Sequence, residues 1–407
     1  MSATTRRRFL QATVALTTAT VGARSAGGRA ALPRAPGTPP SRYGAPSPFE
    51  AAVGRVGFVS MPGAPASGAS RTPLEQLEGT ITPASLHFER HHGGVPEIDP
   101  SAHRLVIRGR VNRPLSFRVD DLKRYPLVSR HHFLECSGNS AALVAPVAVD
   151  QTCGELHGLV SGSEWTGIPL RTLLGEAGLA PGARWLVCEG ADAGRMNRSV
   201  PLAKAMDDGM IALYQNGERL RPENGYPLRL LLPGWEGNIQ IKWLREITVT
   251  SAPAMTREET SKYTDLRPDG IADQFSFTMG VKSVITHPAA GLAMAGPGWY
   301  AIKGLAWSGA GAIRGVEVSV DGGRSWRSAQ LDGVVLDRFL TRFRFDWEWQ
   351  GQESVILSRA TDSAGRIQPS RSAWLAEHGP SFNYHCNAIQ AWRISRSGKV
   401  ENAYVEA

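Results

Sequence analysis

Val316-Glu317-Val318-Ser319-Val320-Asp321-Gly322-Gly323 is a strand running into a turn. Valine at every second position gives one apolar face, and Asp-Gly-Gly supplies residues that tolerate positive φ. Phe343, Phe345, Trp347 and Trp349 repeat the alternation, and Val355 to Ala360 forms a further apolar run. No helical period is read after about residue 280, so residues 271–407 are expected to fold as a β-sandwich of immunoglobulin type. Working back, residues 81–270 carry mixed signals. Arg104 to Arg108, Trp185 to Cys188 and Leu228 to Leu232 read as strands, whereas Leu170–Ala177 and Leu202–Ala205 suit short helices. The expectation is an α+β chain: a mixed α/β domain followed by a sandwich. Residues 31–80 open with six prolines between Pro33 and Pro48 and are expected to be an extended linker and arm.

The chain has 407 residues, 42% hydrophobic and 20% charged, enough for two or three cored domains and unlike a disordered or disulfide-stapled protein. The net charge of +8 is misleading. Five of the arginines behind it (Arg6, Arg7, Arg8, Arg24 and Arg29) lie in residues 1–30, which hold no acid. The remainder has no electrostatic case for binding nucleic acid. Thr5-Arg6-Arg7-Arg8-Phe9-Leu10, followed by a short Ala/Thr-rich apolar run, fits a twin-arginine export signal over residues 1–30. That implies a periplasmic protein exported folded, often around a cofactor. No later run approaches a membrane span.

The densest polar cluster is His131-His132-Phe133-Leu134-Glu135-Cys136-Ser137-Gly138-Asn139-Ser140. Cys136 suits a thiolate metal ligand or a nucleophile; a buried free thiol and a disulfide to Cys153 are the plainer readings. No second thiol stands at zinc-ligand spacing. Cys153, Cys188 and Cys386 read as packing residues.

Cys136-Ser-Gly-Asn resembles the motif of the sulfite oxidase family, in which a cysteine thiolate binds molybdenum held by one pyranopterin. Other segments resemble that family in the same order: Phe88-Glu-Arg90-His91-His92, Glu164-Trp165-Thr-Gly-Ile-Pro, Glu189-Gly-Ala-Asp192, Asn216-Gly-Glu, Asn224-Gly-Tyr-Pro-Leu-Arg229, Lys242-Trp243 and Lys262-Tyr263. The C-terminal sandwich resembles the family's dimerisation domain. The resemblance implies that Cys136 ligates molybdenum and that Phe88, Arg90, His91, His92, Asp192, Asn224, Arg229, Gln240 and Lys242 bind the pyranopterin. The cations among these would face its anionic phosphate. Tyr263 would orient substrate, and His385 would be a weaker donor beside it.

Two departures bear on substrate. Sulfite-oxidising members follow Cys-x-Gly-Asn with arginines, where this chain has Ser140 and Ala141, and His385 falls where another arginine is expected. Together with Gly234-Trp235-Glu236-Gly-Asn and Arg257-Glu-Glu-Thr-Ser-Lys-Tyr263, they resemble the sulfane dehydrogenase subunit of thiosulfate-oxidising systems. The implied substrate is a sulfane sulfur on a carrier protein, with free sulfite as the alternative. Asn224 also departs, standing where many relatives have histidine. The chain lacks Cys-x-x-Cys-His and attaches no c-type haem, so a c-type cytochrome partner is expected to take the electrons, in a homodimer or heterotetramer. Reduction of methionine sulfoxide and a cofactor-free scaffold are the remaining readings.

Overall fold

In a computed structural model, residues 37–405 are described. The expected export signal at residues 1–30 lies outside the described residues. Residues 37–52 are a separate unit, nearly all exposed, with one short turn of 3-10 helix at Pro48–Glu50. Everything from Val53 onward is a second unit. Among the described residues no helix is long and apolar enough to cross a membrane.

The part of the arm expected to be extended but unpaired is a hairpin. Val56–Met61 pairs antiparallel with Ala64–Arg71, and the second strand pairs with Glu89–His91. Thr72 and Leu74 beyond it are buried at 0% and 2% exposure, so apolar burial ties this segment down where composition alone suggested a linker.

Two sheets follow, one mixed and one wholly antiparallel. In one, the strands run in the order Leu115–Arg118, Arg104–Gly109, Leu244–Thr250, Trp185–Gly190, Asn197–Pro201, with a single parallel pair, Arg104–Gly109 on Leu244–Thr250. In the other, Val128–Glu135 pairs with Val160–Pro169, which pairs with Met210–Gln215, and Arg229–Leu231 joins the last. Leu186 and Cys188 alternate inward on their strand. Helix Leu170–Ala177 buries Leu170, Leu173, Leu174 and Ala177, one stripe at the 3.6-residue period, and stops at Gly178, whose φ of 68° ends it. Both expected helices are present, the second as Leu202–Asp207.

The sandwich consists of two antiparallel sheets, one of four strands (Lys282–His287, Gly298–Trp307, Thr341–Trp349, Gln330–Asp332) and one of five. Ile313–Ser319 leads through the Asp321-Gly322-Gly323 turn to Arg327–Ser328, and Ser354–Asp362 is the central partner. The expected absence of helix is corrected at Arg371–His378. Ser370 caps it by accepting from the Ala373 amide, and Trp374 is buried. Two turns are too short to leave a clear period in the sequence. One hydrophobic core joins the sandwich to the preceding half: Phe133, Leu143, Cys153 and Leu156 pack in the same cluster as Trp307, Phe343 and Trp392. Mixed α/β sheets followed by a β-sandwich are the architecture the sequence predicts.

Candidate active site

Strand Val128–Glu135 ends at Cys136, and the loop that follows is held from both sides. The Cys136 amide donates to Leu159 O at 2.9 Å. Asn139 donates to Glu135 Oε1 at 2.9 Å and accepts from the Leu159 amide at 3.1 Å. Ser140 adopts φ 66°, a left-handed conformation unusual for serine, and is fixed there through its hydroxyl. That oxygen meets His157 Nδ1 at 2.7 Å and accepts from Lys282 Nζ at 2.6 Å. Lys282 also donates to Glu135 Oε1 at 3.2 Å, and Trp307 Nε1 donates to Glu135 Oε2 at 2.6 Å. Two strands of the sandwich thus brace the cysteine loop. All four cysteines are free thiols, so the disulfide reading falls; Cys153 is buried in the shared core, and Cys136 alone is partly exposed.

Cys136 opens into a cavity lined also by Phe88, Arg90, His91, His92, Asp192, Asn224, Arg229, Gln240, Lys242 and Tyr263. These residues come from segments spread over some 170 positions, and the fold brings them together. Gly93 shows how closely: a Cβ there would stand 2.8 Å from the Gly194 amide nitrogen, so only glycine lets the His92 loop lie against the Asp192 loop.

Roles within the cavity differ. Lys242 is largely enclosed, and its ammonium bonds only neutral groups: Arg90 O at 3.2 Å, Glu223 O at 3.1 Å and His91 Nδ1 at 2.8 Å. Burial pushes its pKa well below the ordinary lysine value, and Arg229 adds to the effect. Burial likewise brings Arg229 down to about 9; it donates to Asn224 O and Gln240 O, and its buried Nε has no partner. His91 presents Nε2 to Glu89 at 2.6 Å, which leaves Nδ1 to accept from Lys242. Its pKa is lowered to about 3, first by burial and then by Lys242, so the ring is neutral. Asn224 and Gln240 face the cavity, but their amides are committed elsewhere. Asn224 donates to Ala84 O and Gln215, and Gln240 donates to Trp235 O while accepting from the Leu232 amide. They shape the wall.

Buried cations without a carboxylate on them are costly unless an anion completes them. Arg229 with its unpartnered nitrogen and Lys242 with its neutral acceptors fit the phosphate of a pyranopterin. Cys136 is the soft ligand such a metal centre needs. Among the described residues no cluster of three His, Cys, Asp or Glu side chains could hold a metal ion by itself. Burial raises the Cys136 pKa, with the Gly138 amide and Arg90 acting against it, so this thiol awaits a cation to become a thiolate.

On the outer side, Tyr263 O–H and His92 Nε2 share a hydrogen bond at 3.2 Å, and the Tyr263 ring lies 5.2 Å from that of Tyr384. Burial drives the Tyr263 pKa well above 10, so it is a neutral phenol. His385, expected beside the substrate, does not line the cavity. Its φ is 55°, its amide donates to Ser137 O at 2.8 Å, and its Nε2 sits 3.0 Å from Ser276 Oγ and 3.3 Å from Glu236 Oε2.

Sequence reasoning passed over a buried ion cluster next to this wall. Arg198, at 0% exposure, lies between Glu236 at 3.3 Å and Glu259 at 3.4 Å, with its guanidinium 4.9 Å from the Tyr263 ring centre. In sequence these are ordinary charges, 38 and 61 positions apart, and no local pattern pairs them.

A thiol at the end of a strand, unneutralised cations around a cavity and a following sandwich that braces the loop define a molybdopterin-type oxidoreductase. The model of the oxidoreductase molybdopterin binding domain matches residues 92–258, and that of the Mo-co oxidoreductase dimerisation domain matches residues 274–391. Mitochondrial sulfite oxidase of Mus musculus is 32% identical over 348 residues, which cover 79% of this chain and 62% of that protein; the chain thus spans about three-fifths of its length. Sulfite oxidase of Gallus gallus is 31% identical, covering 79% and 74%. The crystal structure of the sulfane dehydrogenase SoxCD from Paracoccus pantotrophus superposes with a TM-score of 0.87 at 44% identity, covering 90% of this chain and 94% of that one. The chain belongs to the sulfite oxidase family of molybdopterin oxidoreductases.

Proposed function

We propose that this protein is a periplasmic molybdenum enzyme that oxidises sulfane sulfur held on a carrier protein and passes the electrons to a c-type cytochrome. The observation that carries the choice of substrate is the fate of Ser140 and His385. Both stand where the sulfite-oxidising pattern calls for arginine. Ser140 spends its hydroxyl on His157 and Lys282, and His385 its Nε2 on Ser276 and Glu236. Neither position offers the fixed cation that a desolvated dianion requires. The 44% identity to the sulfane dehydrogenase SoxCD from Paracoccus pantotrophus supports the same reading.

Cys136 would ligate the metal, and Arg90, Arg229 and Lys242 would hold the pyranopterin through its phosphate, with His92 and Asp192 on adjoining loops. When bound, the cofactor supplies two-electron oxygen-atom transfer at sulfur. The chain's own contribution is positional. Lys242 is oriented by His91, itself fixed by Glu89, so the ammonium points to one place without a competing carboxylate. The Tyr263 phenol, neutral and tied to His92, offers a hydrogen bond at the cavity wall beside which substrate must pass. Electrons leave the chain to a partner, since it has no haem-attachment motif.

Free sulfite is the second reading, favoured by the likeness to sulfite oxidases and by Arg90, whose charge is felt at Cys136. Steady-state rates decide between them. Oxidation of a carrier-bound persulfide at least a hundredfold more efficient than that of free sulfite, judged by kcat/KM, is expected; equal or reversed efficiencies would make the protein a sulfite dehydrogenase.

A further inference from the structure

A buried ion cluster lies against Tyr263 through Arg198. Glu236, Glu258 and Glu259 are buried at 2%, 1% and 0% exposure, and the one buried guanidinium among them is Arg198. Glu259 is satisfied by its own neighbours: it accepts from the Ser199 amide, from Ser199 Oγ at 3.0 Å and from the Thr256 amide at 3.1 Å. Glu236 is held by donors from three separate segments. Arg198 approaches Oε1 at 3.3 Å, while Asn238 Nδ2 at 2.5 Å and His385 Nε2 at 3.3 Å approach Oε2. Asn238 also donates to Ser137 Oγ at 3.0 Å and lines the cavity. The turn that carries Glu236 is pressed on the cysteine loop, since a Cβ on Gly237 would come within 2.9 Å of Glu135 O and 3.4 Å of the Cys136 Cα.

A carboxylate this deep is expensive to maintain, and a neutral side chain would pack there at less cost. Arg198 is divided between two acids, and its NH1 has no partner. Tyr263 and Tyr384, on the approach to the cysteine loop, are each raised mainly by burial; Arg90 opposes this, and Glu236 adds a smaller share in the raising direction. A negative charge held at such a place discriminates by sign. In a poorly solvated site it opposes a dianion strongly and a neutral or singly charged sulfur much less.

Resting on the substrate reading above, we propose that Glu236, fixed in place by Arg198, is a specificity-determining charge that repels small oxyanions such as sulfite and sulfate from the approach to Cys136. A persulfide delivered on a protein carries less charge at the reacting end and draws its binding free energy from the carrier surface, so it tolerates the same charge. Glu236 acts through the field and need not touch the substrate.

The test reads binding, not turnover. Holoprotein is titrated with inorganic sulfate, and the dissociation constant is taken from intrinsic tryptophan fluorescence. Glu236→Gln keeps the side-chain shape and removes the charge; it is expected to bind sulfate about tenfold tighter than wild type, or more. An unchanged or weaker affinity, with molybdenum content and melting temperature retained, would overturn the proposal. Should the variant not fold, wild type alone still decides. It is expected to bind uncharged dimethyl sulfone at least as tightly as sulfate, and a tenfold preference for sulfate would overturn the idea. Failure of the carrier-bound substrate shows up only in the rates and leaves these equilibria unaltered.

Discussion

Replacing Lys282 by methionine removes the cation that ties the sandwich to the cysteine loop. Its ammonium is 1% exposed and donates to Glu135 Oε1 at 3.2 Å, Ser140 Oγ at 2.6 Å and Cys386 O at 2.8 Å. Taking three charge-assisted bonds at about 1.5–3 kcal/mol each would give roughly 4.5–9 kcal/mol. That sum is too large, because the wild-type ammonium already bears the cost of leaving water. Removing one partner of a buried ion pair costs about 3–5 kcal/mol. Glu135 keeps Trp307 Nε1 at 2.6 Å and Asn139 Nδ2 at 2.9 Å, so the lower end, about 3 kcal/mol, is expected. Urea unfolding at pH 7 measures this. Glu135 directly precedes Cys136, so molybdenum per chain is expected to fall as well. The double variant Lys282→Met/Glu135→Gln leaves no unpaired charge and should recover at least half of the lost stability. A single-variant cost below about 1 kcal/mol, or a double variant no better than the single, would show that this pair does not brace the loop.

Cys136→Ser should fold with an unchanged circular dichroism spectrum and contain no molybdenum; a metal-loaded variant would remove Cys136 as the ligand. Lys242→Met should make the cofactor-free protein more stable by about 1–2 kcal/mol, since it deletes a buried charge with no acid on it, while cofactor content drops; a less stable apoprotein would contradict the role given to Lys242. Leu173→Ala, in the helix stripe away from the cavity, should cost about 2–5 kcal/mol in urea unfolding without altering molybdenum per chain. His87, His91 and His132 are held down to about 3, and His92 to about 4, mainly by burial. The folded state therefore binds fewer protons than the unfolded one between these values and the ordinary histidine range near 6.5. Stability from these groups is complete above about pH 6.5 and is lost progressively as pH falls toward about 3; a melting temperature flat from pH 7 to about 4.5 would contradict that.

Residue chemistry alone singled out Cys136 and left a buried thiol or a disulfide as its plainer readings; the rest of the site came from the resemblance to the sulfite oxidase family, and eleven of the twelve expected site residues do line the cavity. The strands of the sandwich were legible because alternation survives in any antiparallel sheet with one buried face. The hairpin Val56–Arg71 was hidden by a prolines-and-glycines composition that says nothing about what the chain pairs with. His385, expected to face substrate, does not line the cavity, because its backbone contact with Ser137 and side-chain contact with Glu236 are tertiary facts. The pairing of Arg198 with Glu236 and Glu259 was hidden for the same reason: the three charges meet only once the sheets close over them.

The common core of Phe133 and Leu156 with Trp307 and Phe343 limits how such proteins can be recombined. A designer who exchanges the C-terminal half between relatives transplants half of the wall that steadies the cysteine loop. Chimeras should therefore fail at loading before they fail at folding, unless Glu135, Ser140, His157 and Lys282 travel together as one inherited block.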